Sequence, residues 1–412
     1  MRDSARVIIE RIEALGRISD EAGCLTRTFC SPAMRRANRL VASWMRGAGM
    51  QVREDAIGNL IGHYPAATRH GRILLLGSHL DTVRNAGKFD GPLGVILAIA
   101  CVEHLRRNHV RLPFAVEVVG CAEEEGVRYH SSHLGSRAVA GLLDRADLSR
   151  KDARGVSMAD AIRRFGGQPA RLKQARLDPS RLLGFVEAHI EQGPVLEEEN
   201  VAVGIVTAIA GQSRFQFTFT GRAGHAGTTP MRLRRDALCA AAEFILGVEE
   251  SAERKAGLVA TVGQIRAEPN ASNVIPGSVS LTLDVRHQTD SARRAAGAQL
   301  QKLARQIAAA RHLKVSAQLV QQTPSVACSP KLSGLLARAA KTHQPRIIRL
   351  PSGAGHDAAI LARIAPAAML FIRCKGGISH HPDESASRTD VGVALGVLND
   401  FLRLLAIEYG RF

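Results

Sequence analysis

Four short, mainly apolar runs constrain this chain more than any other feature: ILLL at 73–76, AVEVV at 115–119, GFVEA at 184–188 and AMLFI at 368–372. Runs of this length and composition read as strands covered on both faces. Helical stretches separate them, notably 94–107 and 332–342. Strands alternating with helices predict an α/β fold built on a mixed, mostly parallel sheet. A further helix opens at Ser31-Pro32, a side-chain cap followed by proline at the first helical position. Its buried face is Leu40, Val41, Trp44 and Met45, and Gly47 and Gly49 end it.

The middle of the chain follows another pattern. RFQFTFT at 214–220 alternates with period two, as do residues 279–285, and 258–265 reads as a third strand. Helical periodicity at 235–248 and 291–310 adds two helices. Two helices on an antiparallel sheet make a compact α+β unit, here inserted into the first domain. The expected division is 1–210 with 325–412 for the α/β domain and 211–324 for the insert.

The 412 residues are long enough for such a plan. The strongest apolar stretches, such as the nine residues 94–102, fall far short of the ~20 needed to cross a bilayer, so no membrane partner is expected. Ile8, Ile9, Ile12 and Leu15, interrupted by Glu10 and Glu13, read as an amphipathic helix and not as a signal peptide. Seven scattered cysteines without a CxxC motif suit a reducing cytoplasm. Lys+Arg outnumber Asp+Glu by 55 to 38, which raises nucleic-acid binding as a possibility. Against it, aromatics are only 4% and the arginines are dispersed along helices, so the charge reads as a solvated surface.

The chemistry-bearing residues follow the strands. GSHLDTV at 77–83 places His79 and Asp81 two residues apart, on one side of an extended segment. KFDGPLG at 88–94 carries Asp90 into a helix start. CAEEEG at 121–126 stacks three carboxylates, which repel one another unless a cation sits among them. His189 lies in HIEQG at 189–193, and a fifth piece, GISHHPDE, spans 377–384. Taken singly, each has an ordinary structural reading. Together they bring imidazoles and carboxylates to the ends of several strands of one sheet, a donor set suited to Zn²⁺ or Mn²⁺ and too large for one tetrahedral ion. Two ions sharing a carboxylate would satisfy it.

On these segments, with HIEQGPVLE at 189–197, HAGTTPM at 225–231 and PSGAGHDA at 351–358, the sequence resembles the dinuclear-metal amidohydrolases that cleave ureido groups. These are the allantoate amidohydrolases, N-carbamoyl-L-amino-acid hydrolases and β-ureidopropionases of the aminoacylase/carboxypeptidase clan. The resemblance runs from Leu25 to the last helix. It implies that His79 and His189 hold one divalent ion, Glu125 and His380 the other, and that Asp90 bridges them. It implies Glu124 as general base, Asp81 as the residue that fixes His79, and His225 as an oxyanion donor reaching in from a partner subunit. Gln192, Gln212, His225, Asn273, Arg286, Gly355 and His356 would contact substrate, with Asn273 and Arg286 a carboxylate-binding pair. The insert would serve as lid and homodimer interface. The family frame also selects His380 over its neighbour His381.

The implied reaction is metal-dependent hydrolysis of a ureido C–N bond in a small anionic substrate. LTRTFCSPA at 25–33 and NAGKFD at 85–90 resemble the allantoate enzymes; hydrolysis of an N-carbamoyl amino acid or of N-carbamoyl-β-alanine is the alternative. Ala188, and Arg373-Cys374 before the last ligand, depart from the family pattern. A non-catalytic carboxylate-binding module is the remaining reading, and the presence of all five ligands and Glu124 argues against it.

Overall fold

The computed structural model describes residues 2–68 and 71–410; the outermost positions of the expected first domain, 1 and 411–412, lie outside them. The chain divides into two compact units. The first comprises Met1–Thr207, Cys328–Leu350 and Ala354–Phe412, and the second Ala208–Ala327 with Pro351–Gly353.

The first unit is α/β. Its strands are β1 (Gln51–Glu54), β2 (Leu60–Tyr64), β3 (Ile73–His79), β4 (Ala115–Cys121), β5 (Leu182–Ile190) and β6 (Val203–Ile209), the last of which runs on into the second unit. The second unit adds β7 (Gly211–Thr220), β8 (Gly224–His225), β9 (Val259–Glu268), β10 (Val274–Ile275), β11 (Ser278–His287), β12 (Lys314–Thr323) and β13 (Val326–Ala327). The chain closes with β14 (Ile348–Ser352) and β15 (Ala367–Ile372). The sheet order in the first unit is β1-β2-β4-β3-β5-β15-β6. Its four central strands, β4, β3, β5 and β15, are parallel, while β1, β2 and β6 pair antiparallel at the flanks. The four apolar runs of the sequence are therefore the four parallel strands.

Parallel strands end on the same edge, and that edge positions the chemistry. His79 closes β3, β4 delivers residues 122–126, β5 carries His189 one residue from its end, and β15 leads into 373–384. Helix Pro92–Arg107 is buried almost all round, so it reads as apolar on every face. It lies close against β5: a Cβ on Gly94 would stand 2.1 Å from the Ala188 carbonyl oxygen. Ser31 caps helix Pro32–Gly47, its hydroxyl accepting from the Met34 N–H. The flanking strands β1, β2 and β6 went unread in the sequence, being short or lacking a distinctive pattern.

In the second unit, β12-β7-β11-β9 form an antiparallel sheet. Phe215, Phe217 and Phe219 of β7 and Val279, Leu281, Leu283 and Val285 of β11 alternate inward. Helices Ala237–Glu253 and Asp290–Ala310 cover them, with the Phe217 and Phe244 rings 4.8 Å apart. Strand β12 is additional to the three expected; its run of Gln and Ser and a register slip near Leu319 hide the alternation. Among the described residues no helix is long and apolar enough to cross a membrane.

Candidate metal centre

Asp90 is the centre of the site. One carboxylate oxygen, Oδ1, lies 3.3 Å from His79 Nε2 and 3.2 Å from His189 Nε2; the other, Oδ2, lies 3.5 Å from His380 Nε2. His380 Nε2 is also 3.7 Å from Glu125 Oε1. Among the described residues there are three groups in each of which the potential ligand atoms lie within 4.8 Å of one another: His79–Asp90–His189, Asp90–Glu125–His380 and His79–Glu124–Glu125.

The His79 and His189 rings are each aimed by their other nitrogen. His79 Nδ1 sits 3.1 Å from the Asp81 carbonyl oxygen and 3.3 Å from its Oδ1, and His189 Nδ1 lies 2.9 Å from the Ile190 carbonyl oxygen. This leaves both Nε2 atoms facing Asp90, the usual arrangement for ligating histidines. Asp81 also accepts the backbone N–H groups of Glu124 and Glu125, so one buried carboxylate sets a ring and a turn together. The loop before Asp90 is held in turn by Glu384, whose Oε1 accepts from the Phe89 and Asp90 N–H groups. Glu384 had no role in the sequence reading, although it closes the fifth motif.

Gly91 makes the close approach possible. At φ +77°, a Cβ there would stand 2.5 Å from the His79 ring. Gly91→Ala should cost roughly 2–4 kcal/mol in backbone strain and crowding. It should also weaken metal retention, checked by denaturant unfolding and by elemental analysis after dialysis.

The donor set fits divalent metal on its electrostatics. Burial, then Glu124 and Asp90, push Glu125 up to about 10. A carboxylate so placed ionises at neutral pH only if a cation joins it. His189 Nε2 is buried and makes no hydrogen bond, as an atom reserved for a ligand would. Burial opposes the charged form of Glu124 as well, but the neighbouring His133 and His79 rings outweigh it and hold Glu124 at about 2. His133 was absent from the sequence reading.

Other residues singled out in the sequence are placed differently. Gln192 donates from Nε2 to Asp90 Oδ2 at 2.8 Å, so it braces the Asp90 carboxylate. His356 is buried with its ring 4.7 Å from that of His189, and Gly355 packs against His133. His381 is exposed beside Asp383, leaving His380 as the imidazole near Asp90. Arg373 is held by Asp390 at 2.8 Å, at the start of the last helix.

In the second unit, Arg286 forks onto Asp284 at 3.0 and 3.2 Å and donates to the Gly353 carbonyl oxygen at 2.7 Å. Those contacts take three of its five N–H groups. Gln212 donates to the same Asp284. A cavity of ≈ 710 Å³ opens against Arg214, Asp284 and Arg286. Asn273 is elsewhere. Its carbonyl oxygen accepts from the Ala226 N–H on the short β8–β10 ribbon, beyond the Ser278 end of β11. Arg286 sits at the opposite end of that strand, eight residues and roughly 26 Å from Ser278. Within one chain the structure does not bring Asn273 and Arg286 together as a pair. His225 shares the ribbon with Asn273, and its Nδ1 accepts from the Gly227 N–H, which leaves Nε2 as the donor.

Comparison with known proteins places the chain in a family. Residues 75–404 match Peptidase family M20/M25/M40. The chain is 42% identical over 390 residues to an N-carbamoyl-L-amino acid amidohydrolase of Geobacillus stearothermophilus, covering 94% of this chain and 95% of that protein. It is 38% identical to allantoate deiminase 2 of Glycine max, covering 98% and 90%. A hydantoinase/carbamoylase family amidase from Burkholderia ambifaria superposes with a TM-score of 0.91 at 34% identity, over 98% and 97% of the two chains. The chain belongs to peptidase family M20/M25/M40, on the branch that holds the N-carbamoyl-L-amino-acid amidohydrolases and the allantoate deiminases.

Proposed function

We propose that this protein hydrolyses the ureido C–N bond of a small carboxylate, with allantoate as substrate: allantoate and water give ureidoglycine, ammonia and carbon dioxide. The observation that carries the reading is Asp90, which offers one oxygen to His79 and His189 and the other to the side of His380 and Glu125. Two divalent ions of the Zn or Mn class held by these five residues would supply an acidified water and a Lewis acid for the ureido carbonyl. Glu124 takes the proton from the attacking water and returns it to the leaving nitrogen. Asp81 keeps the Glu124–Glu125 turn and the His79 ring in register with Asp90. Arg286, steadied by Asp284, binds the substrate carboxylate, with Gln212, Gln192, Gly355 and His356 shaping the remainder.

His225 donates from Nε2 to the carbonyl oxygen as charge develops on it. Its separation from Arg286 along the insert supports a site completed by two subunits, with His225 and Asn273 coming from the partner. Exposed Val259, Ile265, Leu319 and Val320 on the edge strands, and Leu246 on helix Ala237–Glu253, are apolar surface suited to a homodimer, the insert acting as lid and interface. A cytoplasmic location suits free cysteines throughout the described chain.

Ammonia release from allantoate, N-carbamoyl-L-amino acids and N-carbamoyl-β-alanine on metal-reconstituted protein tests the reaction. Highest kcat/KM on an N-carbamoyl-L-amino acid would replace allantoate by the alternative that the 42% identical relative favours. The shared site has its own test. His225→Ala and Glu124→Gln subunits, each inactive alone, should regain activity when mixed as heterodimers, because one site then receives both intact residues. A proven heterodimer as inactive as its parents removes the trans role of His225.

A further inference from the structure

The catalytic reading of Glu124 leaves one neighbour unexplained. His133 lies in RYHSSHLG at 128–135, a segment that no ligand or substrate role accounts for. Its ring Nε2 stands 2.8 Å from Glu124 Oε1, on an atom sealed from solvent and turned too obliquely to form a hydrogen bond. The backbone makes a second tie, the His133 N–H donating to the Glu124 carbonyl oxygen at 2.9 Å. His133 therefore follows Glu124 in both main chain and side chain.

Two observations separate this from ordinary packing. His133 is the cap residue of helix Leu134–Val139 with φ +60°, yet its side chain makes no capping hydrogen bond. Asparagine, aspartate and histidine all adopt that backbone, so the cap by itself does not select an imidazole. Gly355 closes over the contact from the other side: a Cβ there would stand 3.3 Å from His133 Cε1 and Nε2 and 3.7 Å from Glu124 Oε1. Gly355 thus lies against the His133–Glu124 contact, beside the oxygen that His133 covers.

We propose that His133 is a positioning residue for Glu124: its buried Nε2 occupies Oε1 and leaves Oε2 as the oxygen that handles the proton of the reacting water. This rests on the reading of Glu124 as general base. The oblique contact tightens into a hydrogen bond when substrate fills the site, as catalytic contacts do on going from the free to the occupied enzyme. A carboxylate free to rotate would present either oxygen, and misplacement of a reacting group by about 1 Å costs up to roughly 10²-fold in rate.

The test compares His133→Phe, which keeps bulk without a donor, with His133→Gln, which keeps a donor. Wild type and Glu124→Gln are run beside them on the metal-loaded enzyme. His133→Phe should lower kcat by about ten- to hundredfold, with KM within twofold, metal content unchanged and Tm within a few degrees. His133→Gln should recover most of the loss. In metal-stripped protein at neutral pH, Glu124→Gln should shift the His133 ring ¹⁵N resonances and leave those of exposed His381 in place. A kcat for His133→Phe within twofold of wild type, beside an inactive Glu124→Gln, overturns the positioning role alone. The same holds if the loss follows metal release or unfolding, or if His133→Gln is as slow as His133→Phe. An active Glu124→Gln overturns the base reading and the proposal with it.

Discussion

Replacing Glu124 with glutamine should leave the metal centre loaded and remove nearly all turnover. The substitution keeps the shape of the side chain and takes away its ability to accept a proton, a contribution of roughly 10²–10⁴ in rate. The three groups of ligand atoms include one with Glu124, but His79, Asp90, His189, Glu125 and His380 make two complete groups without it. Elemental analysis should therefore find the wild-type metal content, with kcat down by that factor and KM little changed. Loss of metal instead would exchange the roles of Glu124 and Glu125. The backbone offers a control, since Asp81 binds the N–H groups of both residues and that turn is unaffected by the side-chain change.

Asp90→Ala should do the opposite, removing metal and activity together. Asp90 is the one residue common to the group with His79 and His189 and the group with Glu125 and His380. It is also firmly placed: Glu384 holds its N–H, and Gln192 and Ser379 donate to Oδ2 at 2.8 Å each. A side chain fixed by so many partners leaves no neighbour able to move into its place. Metal content should fall from about two equivalents per chain to near zero, read by elemental analysis after gel filtration. Asp90→Asn sharpens the result, because it keeps one acceptor oxygen and should retain an intermediate amount. Two full equivalents on Asp90→Ala would sink the bridging role.

The arrangement explains why a metal-dependent site can sit in so apolar a sheet. Glu125, raised to about 10, and Glu124, held at about 2 against its burial, differ only in which neighbours face them. One looks onto other carboxylates and the other onto imidazoles. On the proposed reading, these opposite environments separate Glu125 as a ligand from Glu124 as a proton carrier.

The sequence by itself determined the four parallel strands, the alternating strands of the insert and the residues at the strand ends. Burial on both faces leaves a continuous apolar run and burial on one face leaves an alternation, and both are local patterns. Tertiary structure alone decided the rest. The order β4-β3-β5-β15 comes from pairings between segments far apart in sequence, which no local period encodes. The same holds for side-chain direction in loops: Gln192 turns to Asp90, and His133 to Glu124, through backbone with positive φ that spacing does not report. The family resemblance makes Asn273 and Arg286 a pair, 13 residues apart in the sequence, yet within one chain β11 runs between them and holds them at opposite ends of a sheet. An extended strand converts a short separation in sequence into a long one in space, at about 3.3 Å for every residue.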